Sequence, residues 1–260
     1  SYRKGELYSF YGTPELRFSA RLQLSPETSF KLGFDRSAQY IHMISNTTAM
    51  SPTDIWKLSN RYTRPQVSNQ LSAGLFRNIH NDRIELSLEG YYKKLSNIID
   101  YKDGARLLVN EHLEADLLNG EGTAYGLEFM IRKPYGRLTG WMSYSYSRIF
   151  HVVEGDFPEE IINSGDPFPA NYDKPHDFKL VGNMKFSRRL NASLTFVYNT
   201  GRPITYPVAF FEYGNSTRVY YSERNQFRIP DYARLDLAVT FNGNMKAEKI
   251  NHGSFTLAVY

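Results

Sequence analysis

The chain has 260 residues, which is enough for one large all-β domain or two average domains. It contains no cysteine, so disulfide bridges, thiolate metal sites and cysteine nucleophiles are excluded. The net charge of +4 and the lack of any long basic run argue against a nucleic-acid partner.

From residue 18 onward, segments alternate between apolar and polar residues, a period-two pattern that is typical of β-strands. No apolar position is charged, which suits a face in contact with lipid, because Arg or Lys at the bilayer midplane costs about 2–4 kcal/mol. In chain order the apolar faces are Phe18/Ala20/Leu22/Leu24, Phe30/Leu32/Phe34, Leu71/Ala73/Leu75, Ile84/Leu86/Leu88/Gly90/Tyr92, Tyr125/Leu127/Phe129/Ile131, Leu138/Gly140/Met142/Tyr144/Tyr146, Phe178/Leu180/Gly182/Met184/Phe186, Leu190/Ala192/Leu194/Phe196/Tyr198, Ala233/Leu235/Leu237/Val239/Phe241 and Phe255/Leu257/Val259.

The opposite faces of these segments are rich in charges of both signs. Such a face could line the polar lumen of a barrel, contact a plug, or be solvated in a soluble sandwich. Because the two faces average out, the mean hydropathy of −0.49 does not exclude a membrane barrel. The charged residues on this face include Arg21, Lys31, Arg83, Glu85, Glu89, Glu128, Arg132, Arg137, Lys179, Arg234 and Asp236.

The connections between the predicted strands alternate in length. Such alternation is typical of outer-membrane barrels, which have short periplasmic turns and long extracellular loops, whereas compact soluble domains rarely contain loops beyond about 12–15 residues. Short turns are predicted at 25–28, 80–82, 133–136 and 187–189, with a longer one over 242–251. Long segments are predicted at 36–66, 94–122, 151–175 and 202–230.

The chain is expected to be a piece of a larger barrel. Its first predicted strand enters a short turn and its last one leaves a short turn, so both ends would lie on the extracellular side. Single-chain barrels have an even number of strands, so an odd number is expected to be missing at each end. The first residues show no apolar signal-peptide core, and no apolar run reaches the roughly 18 residues of a membrane-spanning helix.

Several stretches, taken in order, resemble TonB-dependent outer-membrane receptors. The likeness begins with Ser25-Pro26, residues 39–42 and Pro52-Thr53-Asp54-Ile55-Trp56. Its four main motifs are residues 122–128 with the hairpin through 134–136 to 140–146, Tyr172-Asp173-Lys174-Pro175-His176-Asp177, Tyr198-Asn199-Thr200-Gly201-Arg202-Pro203, and residues 228–237.

This resemblance implies about ten strands of a 22-stranded, antiparallel, up-and-down transmembrane β-barrel in the outer membrane of a Gram-negative bacterium. Residues 1–260 would form part of a single barrel domain, with no plug domain in the chain. The implied function is uptake of a scarce nutrient (siderophore, cobalamin, glycan or peptide) with TonB-derived energy. The implied partners are outer-membrane lipid, an N-terminal plug and further barrel strands outside this chain, the TonB complex and a small nutrient ligand.

No catalytic, cofactor or metal site is predicted. The six His residues are scattered and lack ligand spacing, and neither a phosphate-binding loop nor a nucleophile elbow occurs. His176 beside Asp177 is interpreted as a local hydrogen-bonding feature. The acidic run at 155–160 could bind Ca²⁺, but a solvated loop is the preferred interpretation.

The predicted ligand-binding residues lie in one aromatic segment between 203 and 230. Aromatic faces bind sugars and flat chelates, and loops on rigid scaffolds often carry function. The alternative is that these rings pack against other loops or belong to an interfacial girdle. The residues are Tyr206, Phe210, Phe211, Tyr213, Tyr220, Tyr221 and Phe227.

Three other interpretations remain open. The chain could be a complete ten-stranded outer-membrane enzyme, which would need clustered acidic and His residues above the barrel rim. It could be a porin without a plug, or a soluble β-sandwich that binds ligands. A sandwich would bury Leu127, Phe129, Leu194, Phe196, Leu235 and Leu237 in a dry interior between two sheets.

Overall fold

The computed structural model describes residues 12–44, 55–79, 83–105, 110, 113–214, 216–243 and 253–260. The predicted turns at 80–82 and over most of 242–251 therefore lie outside the described residues. The strands are β1 (Leu16–Ser25), β2 (Thr28–Gln39), β3 (Ile41–Ile44), β4 (Ile55–Leu58), β5 (Gln66–Ile79), β6 (Ile84–Tyr101), β7 (Leu117–Lys133), β8 (Leu138–Val152), β9 (Phe168–Pro169), β10 (His176–Lys185), β11 (Leu190–Asn199), β12 (Pro203–Ile204), β13 (Pro207–Tyr213), β14 (Ser216–Tyr221), β15 (Phe227–Arg228), β16 (Tyr232–Asn242) and β17 (Ser254–Val259).

Helical structure in the described ranges is confined to single turns. The α-helix α1 covers Leu113–Asp116, and two 3₁₀ turns cover Pro158–Glu160 and Asn163–Gly165. No described helix has the length and apolar character needed to cross a bilayer.

Ten long strands form one antiparallel sheet in the order β1-β2-β5-β6-β7-β8-β10-β11-β16-β17, with the short β9 paired to β8. Each long strand pairs with the next long strand along the chain, which is an up-and-down meander. The predicted all-β, antiparallel, up-and-down architecture is confirmed. The ten predicted strand segments coincide with these ten strands, except that Phe186 lies one residue beyond β10.

The predicted apolar positions share one face of the sheet and are in register across it. One row runs from Leu22 to Ala233 through seven intermediate strands. Leu127 is 50% exposed and Leu237 is 44% exposed, so nothing in the described chain covers this face. The sandwich interpretation is therefore wrong, because it required the same side chains in a dry interior.

The apolar face ends in a polar row. Arg36, Asn69, Lys94 and Thr123 are aligned across β2, β5, β6 and β7, and the Arg36 Nη1 donates a 3.0 Å hydrogen bond to the Asn69 Oδ1. A strand needs about 9–11 residues to cross a bilayer, whereas β6 has 18 and β7 has 17. The surplus lies beyond the polar row, at what we call the long-loop end of the sheet.

The opposite face carries the predicted charges. Neighbouring strands are linked by ion pairs, such as Arg17–Asp35 at 2.7 Å and Arg132–Glu85 at 3.3 Å. Glu89 of β6 and Glu128 of β7 are directly opposite in the register, which places two carboxylates side by side. The polar character predicted for this face is confirmed.

The long segments are more ordered than predicted. About half of the expected loop at 94–122 is strand, since β6 runs to Tyr101 and β7 starts at Leu117. The segments at 36–66 and 202–230 contain the hairpins β3–β4 and β13–β14. These hairpins were not predicted, because they lie outside the ten segments whose apolar faces form the apolar band. Small buried clusters lie here, including Leu118, Val153, Ile162 and Phe168.

Candidate functional site

Polar side chains join three long segments at the long-loop end into what we call the loop cluster, residues 95–105, 149–175 and 200–231. Four of the seven buried polar or charged residues in the described ranges lie in this cluster, namely Asp173, Thr205, Arg224 and Asn225. Burying a charged group is costly unless it is paired, so their partners identify the contacts that hold the cluster together.

Arg224 is the first of these groups, with its side chain only 3% exposed. Its Nη1 donates to Asp100 at 2.6 Å, and its Nη2 donates to Asp103 at 2.7 Å and to the Tyr101 carbonyl at 3.0 Å. The guanidinium also lies 4.3 Å from the centroid of the Tyr101 ring, a cation–π geometry. Arg224 therefore ties the 200–231 segment to the end of β6.

Reciprocal amide bonds join the same segment to residues 149–175. The backbone N–H of Arg224 donates to the Asn163 Oδ1 at 2.8 Å, and the Asn163 Nδ2 donates to the Arg224 carbonyl at 3.0 Å. The Asn225 Nδ2 donates to the Pro169 carbonyl at 2.8 Å. Asn225 has a positive φ of 56°, a conformation that Asn tolerates better than most residues.

A second buried charge, Asp173, organises the base of the cluster. It is completely buried and forms an ion pair with Arg228. Arg228 also donates to the carbonyls of Asp173 and Gly201, both at 2.9 Å. The backbone N–H of Ile149 donates to the Asp173 Oδ1 at 2.8 Å, so the aspartate also binds the end of β8.

Asp231 closes the adjoining strand pair. It accepts a 2.5 Å hydrogen bond from the Tyr198 hydroxyl and a 2.9 Å bond from the Gly201 N–H. The bond from Tyr198 is the main cause that lowers the pKa of the Asp231 carboxyl, and the Gly201 bond adds to it. The second, third and fourth main sequence motifs thus meet at Asp173, Gly201, Arg228 and Asp231.

The aromatic segment forms an arm that continues the β11–β16 ladder. Above Asp231, the pairs β12–β15 and Tyr206–Ser222 lead to what we call the aromatic hairpin, β13 and β14. Every described residue of these two strands is exposed. Phe210 is 70% and Tyr213 is 72% exposed, so the rings do not pack against other described loops.

The register divides the hairpin into two faces. Phe211, Tyr213 and Tyr220 share one face with Arg218, whereas Phe210 lies on the other face opposite Val219. Two of the seven predicted ligand-binding residues, Tyr206 and Phe227, lie in what we call the stem, the β12–β15 pair with the adjoining Tyr206–Ser222 contact. Their rings meet edge to face with centroids 6.2 Å apart. The structure thus gathers the predicted residues on one arm, but it does not converge them on one pocket.

A small cavity of about 180 Å³ lies behind the arm. Its lining includes His151, Tyr172, Arg224 and Asn225. The His151 Nε2, the Arg224 Nε and the Asn225 Oδ1 are buried without a hydrogen-bond partner in the described part of the protein. Burial lowers the pKa of His151 to about 4, so this imidazole is neutral near pH 7.

The other His residues in the described ranges make local contacts. His176 is hydrogen bonded to the Tyr144 hydroxyl at 2.9 Å, and its backbone N–H donates to the Thr200 Oγ1 at 3.1 Å. His42 lies 2.9 Å from the Ser59 Oγ. The acidic run contains a 3₁₀ turn, and its Glu160 pairs with Lys102 at 3.3 Å. Among the described residues, no group of three or more His, Asp or Glu is arranged to hold a metal ion.

Sequence reasoning missed Asp100, Asp103, Asn163 and Arg224 as parts of this region. Their contacts span up to 124 positions in the chain, so no local spacing reveals them. Asp173, Arg228 and Asp231 stood within motifs that carried the family resemblance, although no role was predicted for them.

The sequence model of the β-barrel of TonB-dependent receptors matches residues 8–260. The chain therefore belongs to the TonB-dependent receptor β-barrel family. This family consists of outer-membrane receptors of Gram-negative bacteria and not of enzymes. The search of curated protein sequences found no match.

Solved TonB-dependent receptors share the fold. The ferripyoverdine receptor of Pseudomonas aeruginosa, solved with ferripyoverdine, is 13% identical with a TM-score of 0.58, over 87% of this chain and 27% of the receptor. The receptor in the FpvAI–pyocin S2 complex is 13% identical with a TM-score of 0.56, over 87% of this chain and 27% of that chain. The ferric-catecholate import receptor Fiu of E. coli K12 is 12% identical with a TM-score of 0.56, over 89% of this chain and 29% of that chain. The chain thus spans less than a third of each solved receptor.

Proposed function

We propose that this chain forms part of the barrel of an outer-membrane receptor that takes up a scarce nutrient with TonB-derived energy. The observation that supports this most directly is the family match over residues 8–260. The apolar face would meet outer-membrane lipid, and the polar face would line the interior and contact a plug. Residues 1–260 would all belong to one barrel domain, with the plug, the remaining strands and the TonB contact supplied outside it.

The aromatic hairpin is the proposed capture element. It is exposed on both faces, and large exposed apolar patches on soluble parts of proteins usually mark interaction sites. The Arg224 and Asp173 contacts hold its stem, so the rings are presented by a fixed arm. Preorganisation of this kind lowers the entropic cost of binding. No bond is made or broken by the chain in this role, and a movement of the plug would admit the captured ligand.

The first substrate class to test is a ferric siderophore. Flat chelate rings stack on aromatic faces, and Arg218 places a cation beside Phe211, Tyr213 and Tyr220, which suits an anionic chelate. The solved neighbours include a receptor bound to ferripyoverdine and a ferric-catecholate import receptor, which motivates the same choice. Cobalamin, glycans and peptides are the remaining classes.

The experiment uses the full-length receptor, expressed in cells that lack their own siderophore receptors. Uptake of a ferric pyoverdine, a ferric catecholate, cobalamin, a malto-oligosaccharide and a labelled oligopeptide is measured with and without TonB. We expect TonB-dependent uptake of a ferric siderophore. The variant F211A/Y213A/Y220A should lower the uptake by about tenfold or more, as loss of several aromatic contacts does at binding hot spots.

The control variant is T217A, which removes an exposed hydroxyl from the other face of the same hairpin. It should leave uptake unchanged. Passage of all small solutes without TonB would favour a porin over the proposed receptor. Turnover of a probe by the purified receptor would favour an outer-membrane enzyme. Normal uptake by the triple variant would reject the hairpin as the capture element.

A further inference from the structure

A groove of about 750 Å³ opens on the apolar side of the sheet, outside the loop cluster's ion pairs. It lies on β6, β7 and β8, strands that have a neighbour on each side within the chain. Its size falls within the range of roughly 300–1,000 Å³ typical of small-molecule sites. The lining residues are Ser96, Asn97, Asn119, Gly120, Glu121, Thr123, Phe150, Val152, Glu154 and Pro167.

The register fixes the height of this groove relative to the apolar band. Thr123 and Phe150 are partners, and they occupy the same face as Tyr125 and Leu127, one step further toward the long-loop end. Two residues of a strand advance by about 7 Å. The groove therefore begins about 7 Å above the row of Tyr92 and Tyr125, and these tyrosines are placed as an interfacial aromatic girdle would be.

Of the six polar side chains that line the groove, only Asn97 has a partner among the described residues, since its Nδ2 donates to the Pro65 carbonyl at 3.0 Å. The side chains of Ser96, Asn119, Glu121, Thr123 and Glu154 make no hydrogen bond or ion pair to any residue that the structure describes. Hydroxyl, amide and carboxylate groups therefore face one open space, beside the apolar surfaces of Phe150 and Val152. This combination matches a pyranose, which has hydroxyls on its rim and C–H groups on its faces.

The charges of the groove argue against a phosphate. Two carboxylates, Glu121 and Glu154, line it, and the one cation at its edge is Lys94, which lies opposite Thr123 but outside the described lining. An anion would be repelled there, whereas a carboxylate accepts strong hydrogen bonds from sugar hydroxyls. Neutral hydroxyl-rich ligands are therefore favoured over phosphates and phospholipid headgroups.

We propose that this groove binds a pyranose sugar at the surface of the membrane. The sugar could be the headgroup of an outer-leaflet glycolipid or a free oligosaccharide, because both present the same ring and hydroxyls. The glycolipid source rests on the proposed membrane placement of the apolar face, whereas the sugar chemistry rests on the groove alone. The site is separate from the aromatic hairpin, so it would act alongside nutrient capture.

The test uses purified full-length receptor in detergent micelles. The probes are a neutral glycolipid (digalactosyl diacylglycerol), its free digalactose headgroup, and phosphatidylglycerol, which has no sugar ring. Two variants alter the groove: E121A/E154A removes its carboxylates, and S96W fills its space with a bulky side chain. The control D156A/E159A removes two exposed carboxylates of the same loop that lie outside the lining.

We expect wild type and control to bind the glycolipid or the free disaccharide with affinities within about twofold of each other. Both groove variants should bind about tenfold or more weakly, since each lost charged hydrogen bond typically costs that factor. Tighter binding of the glycolipid than of the free disaccharide identifies a membrane glycolipid as the source, and equal binding identifies a free sugar. Both outcomes support a sugar site.

Two results would overturn the proposal: unchanged sugar binding by both groove variants, or equal binding of phosphatidylglycerol by the wild type. Failure of sugar binding by the wild type would overturn it as well. Siderophore uptake measured on the same variants keeps the two proposals apart. S96W should retain uptake, whereas loss of all uptake in wild type with intact sugar binding would count only against the receptor function.

Discussion

The carboxylate of Asp173 is completely buried and forms an ion pair with Arg228, 55 positions further along the chain. Arg148 approaches the same carboxylate, with its Nε 3.4 Å from the Oδ2. Removal of one partner from a buried ion pair typically costs about 3–5 kcal/mol. Loss of Asp173 would leave the Ile149 N–H and the half-buried guanidinium groups of Arg228 and Arg148 without this carboxylate. This aspartate is therefore expected to be a main determinant of the stability of the loop cluster.

The variant Asp173→Ala should lower the free energy of local unfolding of residues 149–175 and 200–231 by about 3–5 kcal/mol. Hydrogen exchange of these segments in the full-length receptor measures it. The matched control is Asp166→Ala, an exposed aspartate of the same loop whose side chain has no described partner. Equal exchange in the two variants would show that the buried pair contributes no stability.

Gly201 should be intolerant of any side chain. A Cβ at this position would lie 1.7 Å from the carbonyl oxygen of Ile229, a contact with backbone that no rotamer relieves. Gly201→Ala should destabilise the arm by about 1–3 kcal/mol, the usual cost of overpacking, and expose its stem to proteases. Gly182→Ala is the control, because a Cβ there meets nothing within 4 Å. Protease resistance of G201A equal to that of G182A would contradict this account.

The apolar face can be tested with two adjacent residues that point to opposite sides. Leu127→Arg places a cation on the apolar face and should cost about 2–4 kcal/mol of folding free energy in a membrane. Glu128→Arg should cost nothing measurable or stabilise the sheet, since it replaces one member of the opposed Glu89–Glu128 pair. Urea titrations of the full-length receptor folded in phospholipid vesicles provide the comparison. The membrane assignment of this face fails if L127R costs no more than E128R.

The buried His151 should make the loop cluster sensitive to acid. Its folded-state pKa is about 4, below the value of about 6.5 in an unfolded chain. The unfolded state therefore binds more protons between these values, and stability falls as the pH drops from about 6.5 to 4. The predicted loss approaches about 3 kcal/mol at the acid end.

Protease susceptibility of the loops, followed from pH 7 to 4, tests this expectation for His151. The control His151→Gln removes the titrating ring, so its susceptibility should change less over the same range. If wild type and H151Q show the same pH dependence, other groups cause the acid sensitivity.

Local sequence is sufficient to predict the strands, their two faces and their antiparallel order. These follow from period-two alternation and from turns of three or four residues, both of which are local. Leu127 and Glu128 illustrate this, because neighbouring residues in a strand must point to opposite sides whatever the rest of the chain does. The motifs around Tyr198-Asn199-Thr200-Gly201 likewise indicate the family from sequence alone.

The contacts that join the long segments are visible only in the folded chain. In the sequence, Arg224 has no feature that distinguishes it from other loop cations. In the structure it is buried and donates to Asp100, which lies 124 positions earlier in the chain. The groove over β6, β7 and β8 also exists only when three strands and the loop containing Glu154 are assembled. Ion pairs and concave surfaces depend on which distant residues meet, and local alternation contains no information about those meetings.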